Sequence, residues 1–424
     1  MNAIDSLLDS IAIPDMVRVR QIFPRPQIND LEGHFVGRLE ESRLLESIKP
    51  GARVAIAVGS RGVSNQPLFV KLLAGRLKAH GAQPFVVPAM GSHGGASAEG
   101  QKGMLEGMGV TEEYTGVPIR ATMEVVQVGA TDDGLPAYID RYAHEADATV
   151  IINRVKPHVA FRGDFESGLM KMVVIGLGKQ RGADACHDLG FGEMAKNIPA
   201  IGRITLCNSN IVFGVGLLEN AYHETCRIEF LDKGRIEETE PGLQSDAKEL
   251  LPKIYFEKLD VLIIDEIGKD ISGTGFDTNV VGRFHTPYAY GFGSPEITRL
   301  AILNLTDKSH GNANGVGIAD FTTQRVFDKL LFEQTYPNAL TSTVPISVKI
   351  PMVLKNDRQA IQAAIKTCNR PDKKNVLLAR VRNTMRLDEI EVSANLIDLV
   401  DRNGNTELVG RPYSFAFNEA GNLF

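Results

Sequence analysis

The chain has 424 residues, of which 43% are hydrophobic and 23% charged, and its formal net charge at pH 7 is −6. This composition excludes disordered and collagen-like proteins, and the absence of a Lys/Arg block argues against a nucleic-acid or anionic-membrane surface. We therefore expect a globular protein that acts on a small molecule. Because the chain is longer than a single core usually grows, two domains are expected.

The N-terminal stretch and the cysteines predict a cytoplasmic protein. The stretch MNAIDSLLDSIAIPDMVRVRQIF is acidic where a secretory signal would be basic, and no segment reaches the length of a membrane span. The cysteines have neither CxxC pairing nor the spacing of zinc ligands; they are Cys186, Cys207, Cys226 and Cys368. A reducing compartment, with no membrane and no nucleic-acid partner, is the expectation.

Three short apolar runs in the first half of the chain predict parallel β-strands. Residues 53–58 (RVAIAV), 84–88 (PFVVP) and 148–153 (ATVIIN) do not alternate with polar residues, as is typical of strands covered on both faces. A helical pattern at 67–80 follows the first run. Since ligands bind beyond the carboxyl ends of parallel strands, the loops after these runs are expected to share one crevice.

The second half repeats this pattern with different residues. Residues 261–265 (VLIID) predict a strand that opens into the glycine-rich GKDISGTGFD, and residues 299–305 predict another. A strand-like segment gives way to polar sequence near 216–224, so we predict domains at 1–218 and 219–424. The predicted fold class is α/β, with two α/β domains, mostly parallel sheets and an active-site cleft between the domains.

The first loop contains Gly59, Ser60, Arg61 and Gly62 between a predicted strand and a predicted helix. Its backbone N–H groups and the helix dipole could receive a phosphate or carboxylate, and Arg61 would add a planar donor fork. The loop lacks the lysine and spacing of a P-loop, so a tight turn with a solvated arginine is the alternative. The residues alone leave both interpretations open.

Histidines and one lysine are the candidates for chemistry. His93 lies among glycines in GSHGG, where the backbone can approach a ligand closely, although an exposed turn histidine is the alternative. In the stretch 156–190, His158 is followed by Lys171 within an apolar run and then by His187, which could also be a surface residue. Burial would leave Lys171 as a nucleophilic amine, whereas a snorkelling lysine is the alternative.

The sequence Gly176-Leu177-Gly178-Lys179 resembles a nucleotide-binding turn. Its spacing matches neither the P-loop nor the dinucleotide fingerprint. We therefore predict a helix end or a bend at these residues.

Together these motifs resemble the nickel-dependent lactate racemase family. Its members carry an arginine loop after an early strand, a Gly-x-His loop, and a histidine leading into a Ser-Gly-x-x-Lys run with a further histidine downstream. The corresponding residues are Ser60-Arg61, Gly91-Ser92-His93, His158, Ser167-Gly168-Leu169-Met170-Lys171 and His187. No single motif is diagnostic, but the ordered set is specific and covers the first half of the chain.

The resemblance implies a racemase or epimerase that inverts carbon 2 of a small 2-hydroxy acid by reversible hydride transfer. The implied cofactor is a nickel-pincer nucleotide, pyridinium-3,5-bisthiocarboxylic acid mononucleotide, bound covalently to Lys171, with His187 as the nickel ligand. His93 and His158 would be the acid/bases on the two faces of the keto intermediate. The enzymes that synthesise the cofactor are implied partners.

The loop residues complete the site that the resemblance implies. Ser60, Arg61 and Gly62 would contact the cofactor, and Arg61 would also hold the substrate carboxylate. Lys269, in the glycine-rich loop of the second half, is a further candidate for substrate binding.

One stretch departs from the family pattern. The stretch from His158 to Lys171, which contains FRGDFESGLMK, is longer and more charged than the HYxxGFSGGxK of lactate-specific members. Arg162, Asp164 and Glu166 would place polar groups beside the proposed site, which favours a longer substrate, so a sugar-acid 2-epimerase is an alternative to a lactate racemase.

Two further classes are alternatives to a racemase. A non-catalytic anion-binding α/β protein would have no use for a nucleophilic lysine and a metal ligand. An NAD-dependent dehydrogenase would need the Gly-x-Gly-x-x-Gly fingerprint, which follows none of the predicted strands.

Overall fold

The computed structural model describes residues 3–60, 62–402 and 404–424. Strands β1 to β15 in this part of the chain are, in order, Met16–Gln21, Arg53–Val58, Gln83–Pro88, Val125–Ala130, Pro136–Asp140, Ala148–Arg154, Ile211–Glu219, Thr225–Asp232, Lys258–Ile267, Glu296–Leu305, Phe321–Thr323, Met352–Leu354, Leu378–Val381, Glu389–Ser393 and Thr406–Tyr413. The predicted strands of both halves are therefore present.

Helices α1 to α14 of the described residues are, in order, Ala3–Leu8, Leu31–Ser42, Gln66–Ala79, Ala98–Gly107, Glu112–Thr115, Arg141–His144, Leu169–Lys171, Lys179–His187, Met194–Asn208, Ile236–Glu249, Thr278–Val281, Gln324–Lys329, Phe332–Ser342 and Asp357–Thr367. A π-helical turn, Met172–Gly176, lies between α7 and α8. None of the helices described is long and apolar enough to cross a bilayer.

The described residues form two compact units. The middle unit is Arg25–Leu250, and the terminal unit joins the residues up to Pro24 to Leu251–Phe424. The predicted boundary between residues 218 and 219 falls inside the β7–β8 hairpin, where β8 pairs antiparallel with β7. The polar residues at this point form the hairpin loop, which a single sequence does not distinguish from a linker between domains.

The middle unit is built on a five-stranded sheet with the order β3-β2-β6-β7-β8. β2 pairs in parallel with β3 and β6, and β6 pairs in parallel with β7, so only β8 runs antiparallel. Residues 54–58 of β2 are all buried, as expected for a strand covered on both faces. A second, two-stranded sheet joins β4 and β5.

Helices α2 and α3 cover one face of this sheet. Asp30 caps α2 by accepting a hydrogen bond from the Gly33 N–H at 2.9 Å. The buried rings of Phe35 in α2 and Phe69 in α3 stack with their centroids 5.4 Å apart, and they pack in one core with Ile56 of β2. This packing fixes the start of α3 beside the carboxyl end of β2.

The terminal unit contains an eight-stranded sheet with the order β12-β11-β10-β9-β13-β14-β1-β15. The strands from β12 to β13 are parallel, whereas β14, β1 and β15 are joined by antiparallel pairs. The N-terminal strand β1 therefore belongs to this sheet. The predicted α/β class with mostly parallel sheets is confirmed, and the cleft between domains stays a prediction.

The chain changes direction at Gly178 and Lys179, where a bend was predicted. Lys179, the first residue of α8, has a left-handed backbone with φ 56°. This conformation separates the π-helical turn from the rest of the helix. Gly178 packs closely here, because a Cβ at this position would lie 2.2 Å from the Val174 carbonyl oxygen and 2.8 Å from Gly182 Cα. A glycine is required at this point because both neighbours are backbone atoms.

We expect Gly178→Ala to destabilise the protein by about 1–3 kcal/mol, because the new methyl group meets backbone atoms that cannot rotate away. Gly103→Ala in α4 is the matched control, since no atom lies within 4 Å of a Cβ at that position. Alanine should be neutral or stabilise α4 by roughly 0.5–1 kcal/mol. Urea unfolding compares the variants, and equal free energies of unfolding would contradict this account of Gly178.

Candidate active site

The loops after β2, β3 and β6 converge on residues 168–187, which we call the lysine segment. A Cβ on Gly59 would lie 3.1 Å from Met172 Cε, and a Cβ on Gly91 would lie 3.1 Å from Ile175 Cγ2. The Gly91 N–H also donates to the Gly176 carbonyl at 3.2 Å. From β6, the Asn153 amide donates to the Gly168 carbonyl at 2.9 Å. The predicted strand-end loops therefore meet at one segment.

The loop after β2 is held by Glu219 and Arg154. Arg154 donates to the Gly62 carbonyl at 3.1 Å and pairs with Glu219 at 2.6 Å. Glu219 also accepts the Ser64 N–H at 2.7 Å, just before α3 begins. A carboxylate of the protein itself therefore accepts a backbone N–H in the loop that was predicted to bind an anion. Ser60 is half-buried, and Arg61 lies outside the described residues.

Glu166 organises the loop that carries His158. Its fully buried carboxylate accepts the His158 N–H at 2.8 Å and pairs with Arg162 at 3.2 Å and Lys248 at 2.7 Å. Arg162 also donates to the His158 carbonyl at 2.6 Å. Arg162 and Glu166 therefore bind the protein's own loop, which removes the argument for a longer substrate that these two residues carried.

The His158 ring lies in an aromatic cluster with a defined tautomer. Its centroid is 4.6 Å from that of Phe161 and 5.8 Å from that of Phe191. The Ala160 N–H donates to His158 Nδ1 at 3.1 Å. Because Nδ1 is the acceptor, the proton of the neutral ring is on Nε2.

His187 contacts the same phenylalanine. Its ring meets Phe191 edge to face, with centroids 5.5 Å apart. Nδ1 lies 2.7 Å from the Ala183 carbonyl, which can only accept, so Nδ1 donates and Nε2 keeps its lone pair. Burial lowers the pKa of His187, so the ring is neutral at pH 7. A neutral imidazole with its other nitrogen anchored on a carbonyl is suited to bind a metal.

Lys171 lies in an apolar environment. It is half-buried, and its neighbours Met170 and Met172 are buried. Burial, reinforced by the charge of Lys156, lowers the pKa of the Lys171 amine to about 8. The Lys171 charge in turn contributes to the lowered pKa of His187. With this pKa about a tenth of the amine is neutral at pH 7, and the neutral form is the nucleophile.

Cys186, directly before His187, is not a competing nucleophile. Burial raises the pKa of its thiol to about 12. Its Sγ atom lies 3.5 Å from Met194 Sδ, inside the core. The thiol therefore stays protonated and packs as a small apolar side chain.

Glu240 supports the start of the lysine segment. The carboxyl group of this fully buried α10 residue accepts the Met170 N–H at 2.8 Å. A Cβ at Gly168 would lie 2.1 Å from Glu240 Oε1, so a glycine is needed where the carboxyl group packs. Burial raises the pKa of Glu240 to about 8, so the carboxyl group is mostly protonated at neutral pH.

The His93 loop depends on its glycines and on Gln101 of α4. Gly91, Gly94 and Gly95 all have positive φ, a conformation that other residues rarely adopt. The Gln101 amide donates to the carbonyls of Gly91 at 2.8 Å and of His93 at 3.2 Å. His93 itself is half-buried.

Lys269 lies in the terminal unit, in the loop after β9. Only 8% of the residue is exposed, and its amine donates to the Gly273 carbonyl at 2.6 Å. Its backbone N–H donates to Ser309 Oγ at 2.8 Å. The substrate-binding role of Lys269 stays a prediction.

The sequence did not predict the residues that support the candidate groups. Glu240 and Glu219 lie outside the predicted first domain, and Gln101 and Phe191 belong to helical or loop segments without a motif. Glu166 was noted only as a charge near the site. Among these glutamates only Glu219 follows an apolar run, and that position does not name a partner.

The fold and these residues describe an α/β protein with histidines and a lysine gathered at the carboxyl edge of a parallel sheet. Residues 35–198 match the family model of the lactate racemase N-terminal domain. This match confirms, over that stretch, the resemblance to the lactate racemase family that the motifs predicted.

The solved structure of the lactate racemase apoprotein from Thermoanaerobacterium thermosaccharolyticum aligns with a TM-score of 0.49 and 12% sequence identity, over 87% of this chain and 94% of that chain. No curated protein matches the chain in sequence.

We expect the stability advantage of Glu240 to decrease as the pH rises. Its pKa is raised by folding from 4.5 to about 8, so its contribution is complete below pH 4.5 and is lost as the pH rises through about 8. Glu240→Gln keeps an acceptor for Met170 and does not titrate. Relative to this variant, the wild type should lose on the order of 1 kcal/mol of unfolding free energy for each pH unit in this window.

Urea unfolding at several pH values between 4 and 9 measures the difference. Glu238→Gln, at an exposed glutamate of the same helix, controls for the loss of one carboxylate. A difference between wild type and Glu240→Gln that stays constant with pH would show that Glu240 ionises equally in the folded and unfolded protein.

Proposed function

We propose that this protein is a racemase or epimerase of 2-hydroxy acids that works with a nickel-pincer nucleotide tethered to Lys171. The observation that carries the proposal is the pairing of an amine whose pKa is lowered to about 8 with a neutral, anchored His187 on the same lysine segment. Both lie within the stretch that matches the lactate racemase N-terminal domain.

The residues present fit such a cofactor. Among the described residues, no group of three or more His, Cys, Asp and Glu side chains could hold a metal ion by itself. His187 Nε2 is one nitrogen donor, and a tethered nucleotide would provide the remaining donors, including sulfur. Nitrogen and sulfur donors in a square plane suit Ni(II). When bound, the nucleotide supplies a hydride acceptor that takes the 2-hydrogen and returns it.

Lys171 would form the covalent bond to the nucleotide. A neutral amine is required to attack the thiocarboxyl carbon of the nucleotide, where a thioamide would form and water would leave, and burial supplies part of the amine in this form near neutral pH. We assign the contacts with the nucleotide to Ser60, Arg61 and Gly62, and we assign the substrate carboxylate to Arg61 as well.

His93 and His158 would exchange the hydroxyl proton on opposite faces of the substrate. Loss of the 2-hydrogen as hydride requires one base for the hydroxyl proton, and return of hydride on the other face requires an acid there. His158 Nε2 carries a proton in the neutral ring. To accept a proton at Nε2, the ring must carry its own proton on Nδ1, so the hydrogen bond from Ala160 must open.

The first test is attachment of the cofactor. On coexpression with enzymes of cofactor synthesis, Lys171→Ala should lose the covalent mass increase and the racemase activity together, because the amine that forms the tether is removed. His187→Ala is the matched variant, which should keep the added mass but retain less nickel. Intact-mass spectrometry and metal analysis give the two readouts. An adduct that persists in Lys171→Ala and maps to another lysine would refute the assignment.

The second test concerns the two histidines. His93→Ala and His158→Ala should each slow inversion in both directions by about 100-fold to 10,000-fold, since a positioned acid or base is lost. His34→Ala, at an exposed histidine of α2, should racemise at the wild-type rate. Each enantiomer in a panel of 2-hydroxy acids, from lactate to sugar acids, is assayed separately.

Single-turnover spectra add a distinction between the two histidines. Each variant should still oxidise one enantiomer to the bound keto acid, and the favoured enantiomer should differ between His93→Ala and His158→Ala. Wild-type inversion rates in either variant would mean that another base serves that face.

A further inference from the structure

Lys179 is a buried cation that the proposed chemistry does not use. Its side chain is fully buried, and its amine pairs with the fully buried carboxylate of Asp140 at 3.1 Å. The same amine donates to Gln101 Oε1 at 2.9 Å and to the Pro88 carbonyl. A charge removed from water is costly unless it is paired, so this arrangement is expected to be tightly defined.

Two of the three partners of Lys179 lie at the ends of the His93 loop. Pro88 is the last residue of β3, which leads directly into the loop, and Gln101 lies in α4, which follows it. Asp140 ends β5 and caps α6 by accepting the Ala143 N–H at 3.0 Å. The amine of Lys179 therefore joins both ends of the His93 loop to the lysine segment.

The ammonium group also determines how the Gln101 amide points. An ammonium can only donate, so it selects the orientation in which Oε1 faces Lys179. The Nε2 group then points toward the loop, where it donates to the carbonyls of Gly91 at 2.8 Å and His93 at 3.2 Å. A flipped amide would place its N–H groups against the ammonium and its oxygen against two carbonyls.

The loop needs such a support because of its own sequence. Gly91, Gly94 and Gly95 give the backbone wide conformational freedom, so local sterics do not define one conformation. The two hydrogen bonds from Gln101 supply part of the missing restraint.

We propose that Lys179 is a positioning residue for His93 that acts through the side-chain amide of Gln101. Lys179 lies between Lys171 and His187 in the lysine segment. Its contact with Gln101 therefore sets the position of His93 relative to these two residues. The inference rests on the proposed function for the role of His93. The arrangement of the loop itself can be measured without any activity.

The test uses Gln101→Met, which keeps the side-chain length but cannot donate to the loop. Hydrogen exchange followed by mass spectrometry should show about tenfold or faster exchange of the amides in 91–97, since hydrogen bonds to two carbonyls are lost. Exchange in β2 should be unchanged. Gln362→Met is the matched control, because this buried glutamine donates to the Ile11 carbonyl at 3.0 Å in the terminal unit. It should leave residues 91–97 unaffected.

A second variant tests whether Lys179 acts through Gln101. Lys179→Met combined with Asp140→Asn removes both charges, so no buried charge is left alone, and the amide oxygen of the substituted side chain can still cap α6. With Gln101 retained but its orientation no longer selected, residues 91–97 should again exchange faster. Unchanged exchange in this variant or in Gln101→Met would overturn the inference, as would acceleration spread evenly over the middle unit.

Activity separates this inference from the proposed function. In cofactor-loaded protein, Gln101→Met should lower kcat for racemisation about tenfold and leave the covalent mass increase intact, because His93 is displaced while Lys171 is not. A loosened loop with wild-type kcat would overturn the positioning role. If the proposed function is wrong, the wild-type protein will carry no covalent adduct. The hydrogen-exchange results can still be interpreted in that case.

Discussion

The site depends on the packing of the lysine segment against the carboxyl edge of the parallel sheet in the middle unit. Apolar neighbours from Met170 to Ile175 are buried there, and polar groups in the same segment must adapt to an environment that disfavours charge. Lys171 adapts through a lowered pKa and His187 by remaining neutral, whereas Lys179 keeps a buried carboxylate as its partner. One packing constraint thus separates three basic side chains into a candidate nucleophile, a candidate ligand and a structural cation.

Buried glutamates perform a common task around this segment. Glu166 accepts the N–H of His158, Glu219 accepts the N–H of Ser64, and Glu240 accepts the N–H of Met170. Each bond fixes the backbone beside a candidate functional residue. The first two glutamates are balanced by cations, with Lys248 and Arg162 at Glu166 and Arg154 at Glu219.

Glu240 differs from the other two glutamates. None of the described cations pairs with it, and burial raises the pKa of its carboxyl group to about 8. Because a protonated carboxyl group accepts the Met170 N–H, the stability of the start of the lysine segment depends on pH. Since the group accepts the N–H of Met170, next to Lys171, its ionisation would lower the stability of the fold at this point.

The sequence by itself determined the α/β class, the strand-end loops and the order of the candidate residues. Continuous apolar runs mark strands that are covered on both faces, and β2 was predicted at its observed bounds for this reason. His93, His158, Lys171 and His187 could be proposed from the sequence because each lies in a local motif, within a stretch that the family model also matches. The proposed role of Arg61 rests on the sequence alone, because this residue lies outside those that the structure describes.

Only the tertiary structure decided which residues hold these groups in place. Glu240 reaches Met170 across 70 positions of sequence, and Lys179 reaches Gln101 across 78. No periodicity connects residues so far apart, because such contacts arise from the order of strands in the sheet and the packing of helices on it. For the same reason, the β7–β8 hairpin resembled a domain boundary, and Lys179 resembled part of a misleading glycine motif until its buried partners were seen. The local sequence gives the chemical type of a reactive group, whereas the residues that the fold packs around it set its protonation state and its orientation.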